Sequence, residues 1–161
     1  MAAQPRTFMR AALQPSPPRA EMPGVRLFRA KDEPVLGPLM LRAYRGTVDD
    51  EGETVEDAVA EVRKTLAGDY GDFLPACSMV AERDGQVVSA TLVTRLLGQP
   101  FVAFTFTDPT RRCQGLAGAC IRAAMAALQA RGERELGLMV TLANTPAVSL
   151  YTRLGFVAEP G

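Results

Sequence analysis

Residues 107–118 read Thr-Asp-Pro-Thr-Arg-Arg-Cys-Gln-Gly-Leu-Ala-Gly, a polar, glycine-containing segment that decides how the fold is interpreted. The apolar run 101–107 before it is typical of a β-strand, and the residues from Leu116 onward have the apolar spacing of an amphipathic helix that stops at Gly132. The first backbone N–H groups of a helix have no partner within it, and the helix dipole is positive at that end. We therefore expect this strand-to-helix junction to bind phosphate.

A second ordered segment begins after the next predicted strand. Residues 144–156 read Asn-Thr-Pro-Ala-Val-Ser-Leu-Tyr-Thr-Arg-Leu-Gly-Phe. Thr145 and Pro146 suit the N-cap and the first position of a short helix, and apolar residues follow at helical spacing. The alternating apolar residues 136–142 just before it predict a strand, so this segment also lies between a strand and a helix.

The rest of the chain predicts an α/β domain with the order β-α-α-β-β-β-α-β-α-β. Asp84-Gly85 is typical of a two-residue hairpin turn. Thr54 and Asp57 form a capping box for a helix whose buried stripe includes Val55. A hairpin meander followed by βαβα predicts a mixed sheet with helices on both faces. The predicted strands are 25–30, 77–83, 86–95, 101–107, 136–142 and 156–158.

Composition limits the class of protein. A chain of 161 residues predicts one domain, and 47% hydrophobic with 22% charged residues is typical of a globular protein. The formal net charge is zero and arginines alternate with acids, so nucleic-acid binding is not expected. No apolar run approaches the roughly twenty residues of a membrane span, and no secretory signal is evident at the start.

The sequence has few of the residue types that commonly bind transition metals. The sequence contains no histidine, and its three cysteines, Cys77, Cys113 and Cys120, form no C-x-x-C pair. A zinc site and a Cys–His or Ser–His catalytic pair are therefore excluded, and no metal is expected. The odd number of cysteines indicates a reduced, cytoplasmic protein.

Taken together, the two ordered segments resemble the signature of the GNAT superfamily of acetyl-CoA-dependent N-acetyltransferases. Arg112-Cys-Gln-Gly115-Leu-Ala117 matches the pattern (Arg or Gln)-x-x-Gly-x-(Gly or Ala). Residues 144–156 resemble the segment after the fifth strand of that family. A dinucleotide-binding fold is the alternative for the loop, but G-x-G-x-x-G is absent and the loop follows the fourth predicted strand, not the first.

The resemblance covers residues 25–158 and implies a GNAT-like acyl-CoA acyltransferase fold, with the mixed sheet splayed between its fourth and fifth predicted strands. The pantetheine arm of acetyl-CoA would lie in that opening, and a backbone N–H near Phe106 or Thr107 would polarise the thioester. Tyr151 would protonate the departing thiolate, or else only position the cofactor by packing. The implied cofactor-binding residues are Phe106, Thr107, Arg112, Cys113, Gln114, Gly115, Leu116, Ala117, Gly118, Asn144 and Tyr151.

The resemblance says less about the catalytic base and about the amine substrate than about the cofactor. Asp108 would serve as the catalytic base, or it only shapes the turn before Pro109. Glu82 is expected to be a solvated hairpin residue. The acidic loop 49–53 would attract a cationic amine, or it is simply solvated.

The resemblance implies direct acetyl transfer to a primary amine of a small molecule or protein. There are two alternatives: a non-catalytic acyl-CoA-binding or sensor module, and an α/β domain with no CoA site. The sequence leaves open whether the chain forms a homodimer. Discrimination between the enzyme and the binding module requires a test of CoA release with amines.

The chain ends leave one strand unaccounted for. Residues 1–24 contain five prolines and are expected to form an arm ahead of the domain 25–161, with residues 6–11 either a short strand or part of a disordered tail. Relatives commonly continue with a further strand, whereas five residues follow Phe156 here. We hypothesise that the arm, or a partner subunit, pairs with the open sheet edge.

Overall fold

A computed structural model describes residues 4–15 and 21–160. Residues 1–3 and 16–20, which belong to the expected arm, and Gly161 lie outside the described residues. The strands are β1 (Arg6–Ala12), β2 (Val25–Leu27), β3 (Asp72–Phe73), β4 (Met79–Arg83), β5 (Gln86–Leu96), β6 (Gln99–Thr107), β7 (Glu135–Thr141) and β8 (Val157–Ala158). The helices are α1 (Glu33–Tyr44), α2 (Val55–Ala67), α3 (Leu116–Ala130) and α4 (Thr145–Arg153).

The predicted helices and strands are present, with local corrections. Asp84 and Gly85 both have positive φ, as a tight hairpin turn requires. The N-cap of α4 is Asn144, not Thr145, because the Asn144 side-chain oxygen accepts the N–H of Ala147 at 3.2 Å. The prediction that Val55 is buried was wrong: it is the first residue of α2 and is 46% exposed.

The strands form one mixed sheet in the order β2-β4-β5-β6-β7-β1-β8, and β3 pairs with one end of β5. Strands β6 and β7 are parallel and pair only at Phe101–Gly137 and Val102–Leu138. The β5–β6 register shifts at the next position, which leaves Ala103 as an extra residue. Such a bulge bends the strand that carries it. Beyond it β6 and β7 have no ladder pairs, which confirms the predicted splay.

The N-terminal strand closes the other side of β7. β1 pairs antiparallel with β7 along all seven of its residues, and with β8 at Met9–Ala158 and Arg10–Val157. Arg10 also forms ion pairs with Glu135 and Glu159, each at 3.1 Å. Residues 6–12 are therefore a strand, and the hypothesis that they pair with the open edge is confirmed.

Helices cover both faces of the sheet, as expected. On one face α3 and α4 pack over the sheet in a core that includes Ile121, Leu128, Leu136 and Phe156. On the other face α1 and α2 enclose a second core around Leu36, Leu39, Val62 and Phe106. Among the described residues, no helix combines the length and the apolar character needed to cross a membrane.

Candidate active site

The loop between β6 and α3, which we call the anion-binding loop, has the backbone geometry of a turn that can bind anions. Cys113 and Gly115 both have positive φ, at 63° and 75°. Gly115 is the N-cap of α3 and offers no side chain to cap the helix. The backbone N–H groups of residues 115–118 donate no hydrogen bond to any other described residue. Because these donors gather at the positive end of a fifteen-residue helix, they can hold an anion.

Two arginines hold this loop in place from either side. Arg111 donates to the Asp84 carboxylate at 2.8 Å and so ties the loop to the β4–β5 hairpin. Arg112 donates to the carbonyl of Ala43 at 3.3 Å, near the end of α1. Both side chains are thus anchored close to the free N–H groups. They add positive charge to the loop and also fix its position.

A cleft of about 440 Å³ opens where β6 and β7 separate. It brings together residues from α1 and the loop after it, from the end of β6, from the anion-binding loop and from the start of α4. Four of the predicted site residues line it: Phe106, Thr107, Arg112 and Asn144.

Other predicted site residues lie around the cleft and not in its lining. Cys113 and Gln114 are exposed on the loop. Leu116 is 1% exposed and belongs to the core, so only its backbone can contact a ligand. Ala117 and Gly118 form the first turn of α3, and a Cβ at Gly118 would lie 3.4 Å from the side chain of Leu150. The first turn of α3 thus packs against α4 at this position.

Tyr151 is buried on α4, with 7% of its surface exposed. Its ring packs edge-on against Phe156, with 5.9 Å between the centroids. Its hydroxyl has no hydrogen-bond partner among the described residues. Burial first, and then the negative charge of Asp49, raise the pKa of Tyr151 to about 12. The phenol therefore stays protonated at neutral pH and is available as a proton donor.

The carboxylate of Asp108 accepts hydrogen bonds from its own turn. Its Oδ1 accepts the N–H of Thr110 at 2.9 Å and the hydroxyl of Thr110 at 2.7 Å, and Arg42 lies 3.5 Å from its Oδ2. The hydrogen bonds from Thr110, above all that of the backbone, and the charge of Arg42 lower the pKa of Asp108. A carboxylate held in this way is a weak proton acceptor, so the contacts favour the turn-shaping alternative.

Glu82 lies on the β4–β5 hairpin with 37% of its side chain exposed, as expected, but it also has a charged partner. It is bound by Arg26, whose Nη2 lies 2.6 Å from its Oε1. This hydrogen bond and the charge of Arg26 lower the pKa of Glu82. Arg26 also binds Asp32 at 2.8 Å, so the three side chains form a structural ion cluster between β2 and β4.

Asp49 is a site residue that sequence reasoning did not single out. It lines the cleft, where its Oδ1 accepts the Thr141 hydroxyl at 2.7 Å and its Oδ2 accepts the Asn144 side-chain amide at 3.1 Å. The neighbouring Asp50 instead accepts the N–H groups of Gly46 and Gly52 within its own loop. No local signal separates these two acids, because the partners of Asp49 lie more than ninety residues away.

Tyr44, also absent from the sequence-based site, lines the same cleft. Its ring packs edge-on against Phe106 with 6.4 Å between the centroids, and its hydroxyl has no hydrogen-bond partner within the described part of the chain. Burial, with smaller contributions from Tyr151 and Asp49, raises the pKa of Tyr44. Tyr44 and Asp49 therefore line the cleft together, and Tyr151 lies close enough to interact electrostatically with both.

Comparison with known proteins agrees with this architecture. Residues 41–156 match the acetyltransferase (GNAT) family, and the chain belongs to that family. It is 32% identical to a mycothiol acetyltransferase of Thermobispora bispora, over 92% of this chain and 52% of that protein. A mycothiol acetyltransferase of Clavibacter sepedonicus is 35% identical over 52% of this chain and 28% of its own length. The chain thus spans about half the length, or less, of these relatives.

Solved structures share the fold. A GCN5-related N-acetyltransferase from Sphaerobacter thermophilus superimposes with a TM-score of 0.73 and 22% identity, over 96% of this chain and 48% of that one. A GNAT family acetyltransferase from Brucella melitensis, solved in complex with acetyl-CoA, gives a TM-score of 0.62 and 22% identity over 85% of this chain and 88% of its own.

Proposed function

We propose that the chain is an acetyl-CoA-dependent N-acetyltransferase that transfers the acetyl group directly to a primary amine of a small molecule or protein. One observation carries the proposal: unpartnered N–H groups at the start of α3 lie beside a cleft between two splayed strands. A pyrophosphate accepts hydrogen bonds and donates none when ionised, so it matches a site that offers donors alone.

The anion-binding loop would hold the pyrophosphate through the backbone of residues 112–118. Past Val102, the side of β6 that faces β7 has no ladder partner, so backbone groups around Phe106 and Thr107 are open to the pantetheine arm. Asn144 lies across the cleft from them. When bound, acetyl-CoA supplies an acetyl group activated as a thioester, and these backbone groups orient it and polarise its carbonyl.

Tyr151 supports catalysis over the alternative of a binding module. Its hydroxyl has no hydrogen-bond partner among the described residues and is not one of their fully buried atoms, so it is free to donate a proton to a ligand. Its proton would go to the sulfur as the C–S bond breaks. A cytoplasmic location is also part of this proposal, because acetyl-CoA and reduced cysteines are both found there. Size-exclusion chromatography would show whether the chain forms a homodimer.

The cofactor site is tested by calorimetric titration with acetyl-CoA. Gly115→Ala forces a side chain onto a residue at φ 75°, within the anion-binding loop. Gly132→Ala is the matched control, since Gly132 has φ 85° and lies at the far end of α3 with open space around it. Each substitution costs about 1–2 kcal/mol of folding free energy. Only Gly115→Ala should weaken binding, by about tenfold or more, which is about 1.4 kcal/mol.

Activity is tested with a panel of amines that includes the acceptor of the mycothiol acetyltransferases. Products should be separated by chromatography, because the exposed thiol of Cys113 would react with thiol reagents used to follow CoA release. Acetyl-CoA binding that is equally strong in wild type and Gly115→Ala would refute the proposed cradle. Binding without acetylation of any amine would favour the non-catalytic module.

A further inference from the structure

The carboxylate of Asp49 lines the cleft, and no cationic side chain of the described residues pairs with it. Its two oxygens accept hydrogen bonds from Thr141 and Asn144, both neutral donors. None of the ion pairs among the described residues includes Asp49. By contrast, Asp32, Glu82 and Asp108 each have an arginine partner. A partly buried charge is costly when it is unpaired, so this position favours a cationic ligand.

The geometry around Asp49 leaves room for such a ligand. A carboxylate oxygen can accept more than one hydrogen bond, and each oxygen of Asp49 has one donor among the described residues. The hydroxyls of Tyr44 and Tyr151 are also unpartnered in this part of the chain, and both side chains interact electrostatically with Asp49. Tyr44 lines the same cleft as Asp49, so its hydroxyl is near any ligand bound there.

The position of Asp49 also relates it to the proposed acyl donor. It lies in the loop after α1 and lines the same cleft as Phe106 and Thr107 of β6. It is held by Thr141, the last residue of β7, and by Asn144, which follows that strand, and β7 is one of the two strands between which the pantetheine would lie. A nitrogen bound to Asp49 would therefore lie in the cleft that would receive the acyl donor.

We propose that Asp49 binds the acceptor, whose nitrogen is an aliphatic primary amine that is protonated in solution. This inference rests on the proposed function. The ammonium group would donate to the free lone pairs of Asp49 and then lose one proton to solvent water, which leaves a neutral amine. That amine would attack the thioester carbonyl, the C–S bond would break as Tyr151 protonates the sulfur, and the remaining amine proton would restore the phenol. Recognition through one partly buried carboxylate selects for a positive charge on the nitrogen in solution, and it disfavours arylamines, which are neutral at pH 7. Asp49 is thus a determinant of acceptor specificity.

The test compares Asp49→Asn with Glu51→Gln. Both remove one negative charge from the same loop and keep the shape of the side chain, but the Glu51 side chain is exposed and has no hydrogen-bond partner among the described residues. The panel holds hexylamine, spermidine, an aminoglycoside, a peptide with a free N-terminus and aniline. Kinetic constants are measured for the best acceptor, and acetyl-CoA binding is measured by calorimetry for each variant.

Asp49→Asn should raise the KM of a cationic amine by about 10- to 100-fold, as expected for a hydrogen bond to a charged group. Its acetyl-CoA affinity should stay within about twofold of wild type, and Glu51→Gln should match wild type in both measurements. The effect of Asp49→Asn should also be smaller for aniline than for hexylamine. This contrast would not arise from a purely structural role.

Three results would overturn the inference: equal effects of the two substitutions, an unchanged KM in Asp49→Asn, or a wild type that binds acetyl-CoA but acetylates only aniline. Failure of the wild type to bind acetyl-CoA, or binding without acetylation of any amine, is a different outcome, because it refutes the proposed function itself.

Discussion

The side chain of Asn144 joins the start of α4 to Asp49. Its Nδ2 donates to Oδ2 of Asp49 at 3.1 Å, while its Oδ1 accepts the N–H of Ala147 at 3.2 Å. One amide therefore caps a helix with its acceptor and orients a carboxylate with its donors. The stability of α4 and the shape of the cleft are coupled through this residue.

Two substitutions at Asn144 should separate these contributions. Asn144→Ser keeps an oxygen able to cap α4 but loses the contact with Asp49, whereas Asn144→Ala loses both. We expect Asn144→Ala to lower the free energy of unfolding by about 1 kcal/mol, and Asn144→Ser to leave it nearly unchanged. Both variants should show a similar increase in the KM of the amine. Urea unfolding and steady-state kinetics check this, and a KM change confined to Asn144→Ala would contradict it.

Tyr151→Phe should lower kcat by about 10²-fold or more, if its phenol is the proton donor. Acetyl-CoA affinity and stability should change little, because the hydroxyl has no protein partner and the ring contact with Phe156 is kept. Steady-state kinetics and thermal unfolding are the measurements. A variant with unchanged kcat would assign Tyr151 a packing role.

The pH profile offers a second test of Tyr151. Its pKa of about 12 means that its ionisation should not reduce kcat below roughly pH 10. The charge of Asp49 is one of the two causes of this raised pKa. In Asp49→Asn the alkaline decline of kcat should therefore move to lower pH, since a negative charge that opposed ionisation is gone. A move to higher pH would contradict the assignment.

Strand β1 should be essential to the stability of the sheet. Met9 is 3% exposed within the core shared with α3, so Met9→Ala should cost about 2–5 kcal/mol. Arg10→Ala, in the same strand, removes ion pairs that are about 40% exposed and should cost about 1 kcal/mol or less. Chemical denaturation distinguishes the two, and equal losses would indicate that β1 is held by its surface charges.

Cys113 should be the first thiol to react in the folded protein. It is exposed in the anion-binding loop, whereas Cys77 and Cys120 are buried and burial raises the pKa of Cys120 to about 11. Mass spectrometry after brief iodoacetamide treatment at pH 8 should find Cys113 modified. Desulfo-CoA should slow this modification if the loop binds the pyrophosphate. Equal labelling of all three cysteines under native conditions would contradict the structure.

Much of the fold follows from local sequence patterns. The turn at Asp84-Gly85, the capping box at Thr54 and the two segments at 107–118 and 144–156 are set by residues close in the chain, so their form is predictable. The pairing of β1 was only a hypothesis, because its partners lie at the opposite end of the sequence.

In the candidate site too, the features set by neighbouring residues could be predicted and those set by distant residues could not. The free N–H groups at the start of α3 were predictable, since they arise from one strand-to-helix turn. Asp49 could not be distinguished from Asp50 because its partners, Thr141 and Asn144, come from a distant strand end. Asp108 has the right position in sequence, but the hydrogen bonds of Thr110 take up its carboxylate.

The insertion of β1 between β7 and β8 has a consequence for how the protein is made. During synthesis β1 leaves the ribosome before its two partners, β7 and β8, which both follow α3 in the chain. Strand pairing over such a separation is slow, and an unpaired strand is prone to aggregate. Ala143, Asn144 and Pro146 line the cleft and come directly after β7, so the cleft would be complete only once β7 has formed. A chain interrupted before β7 would therefore lack the cleft and leave β1 unpaired.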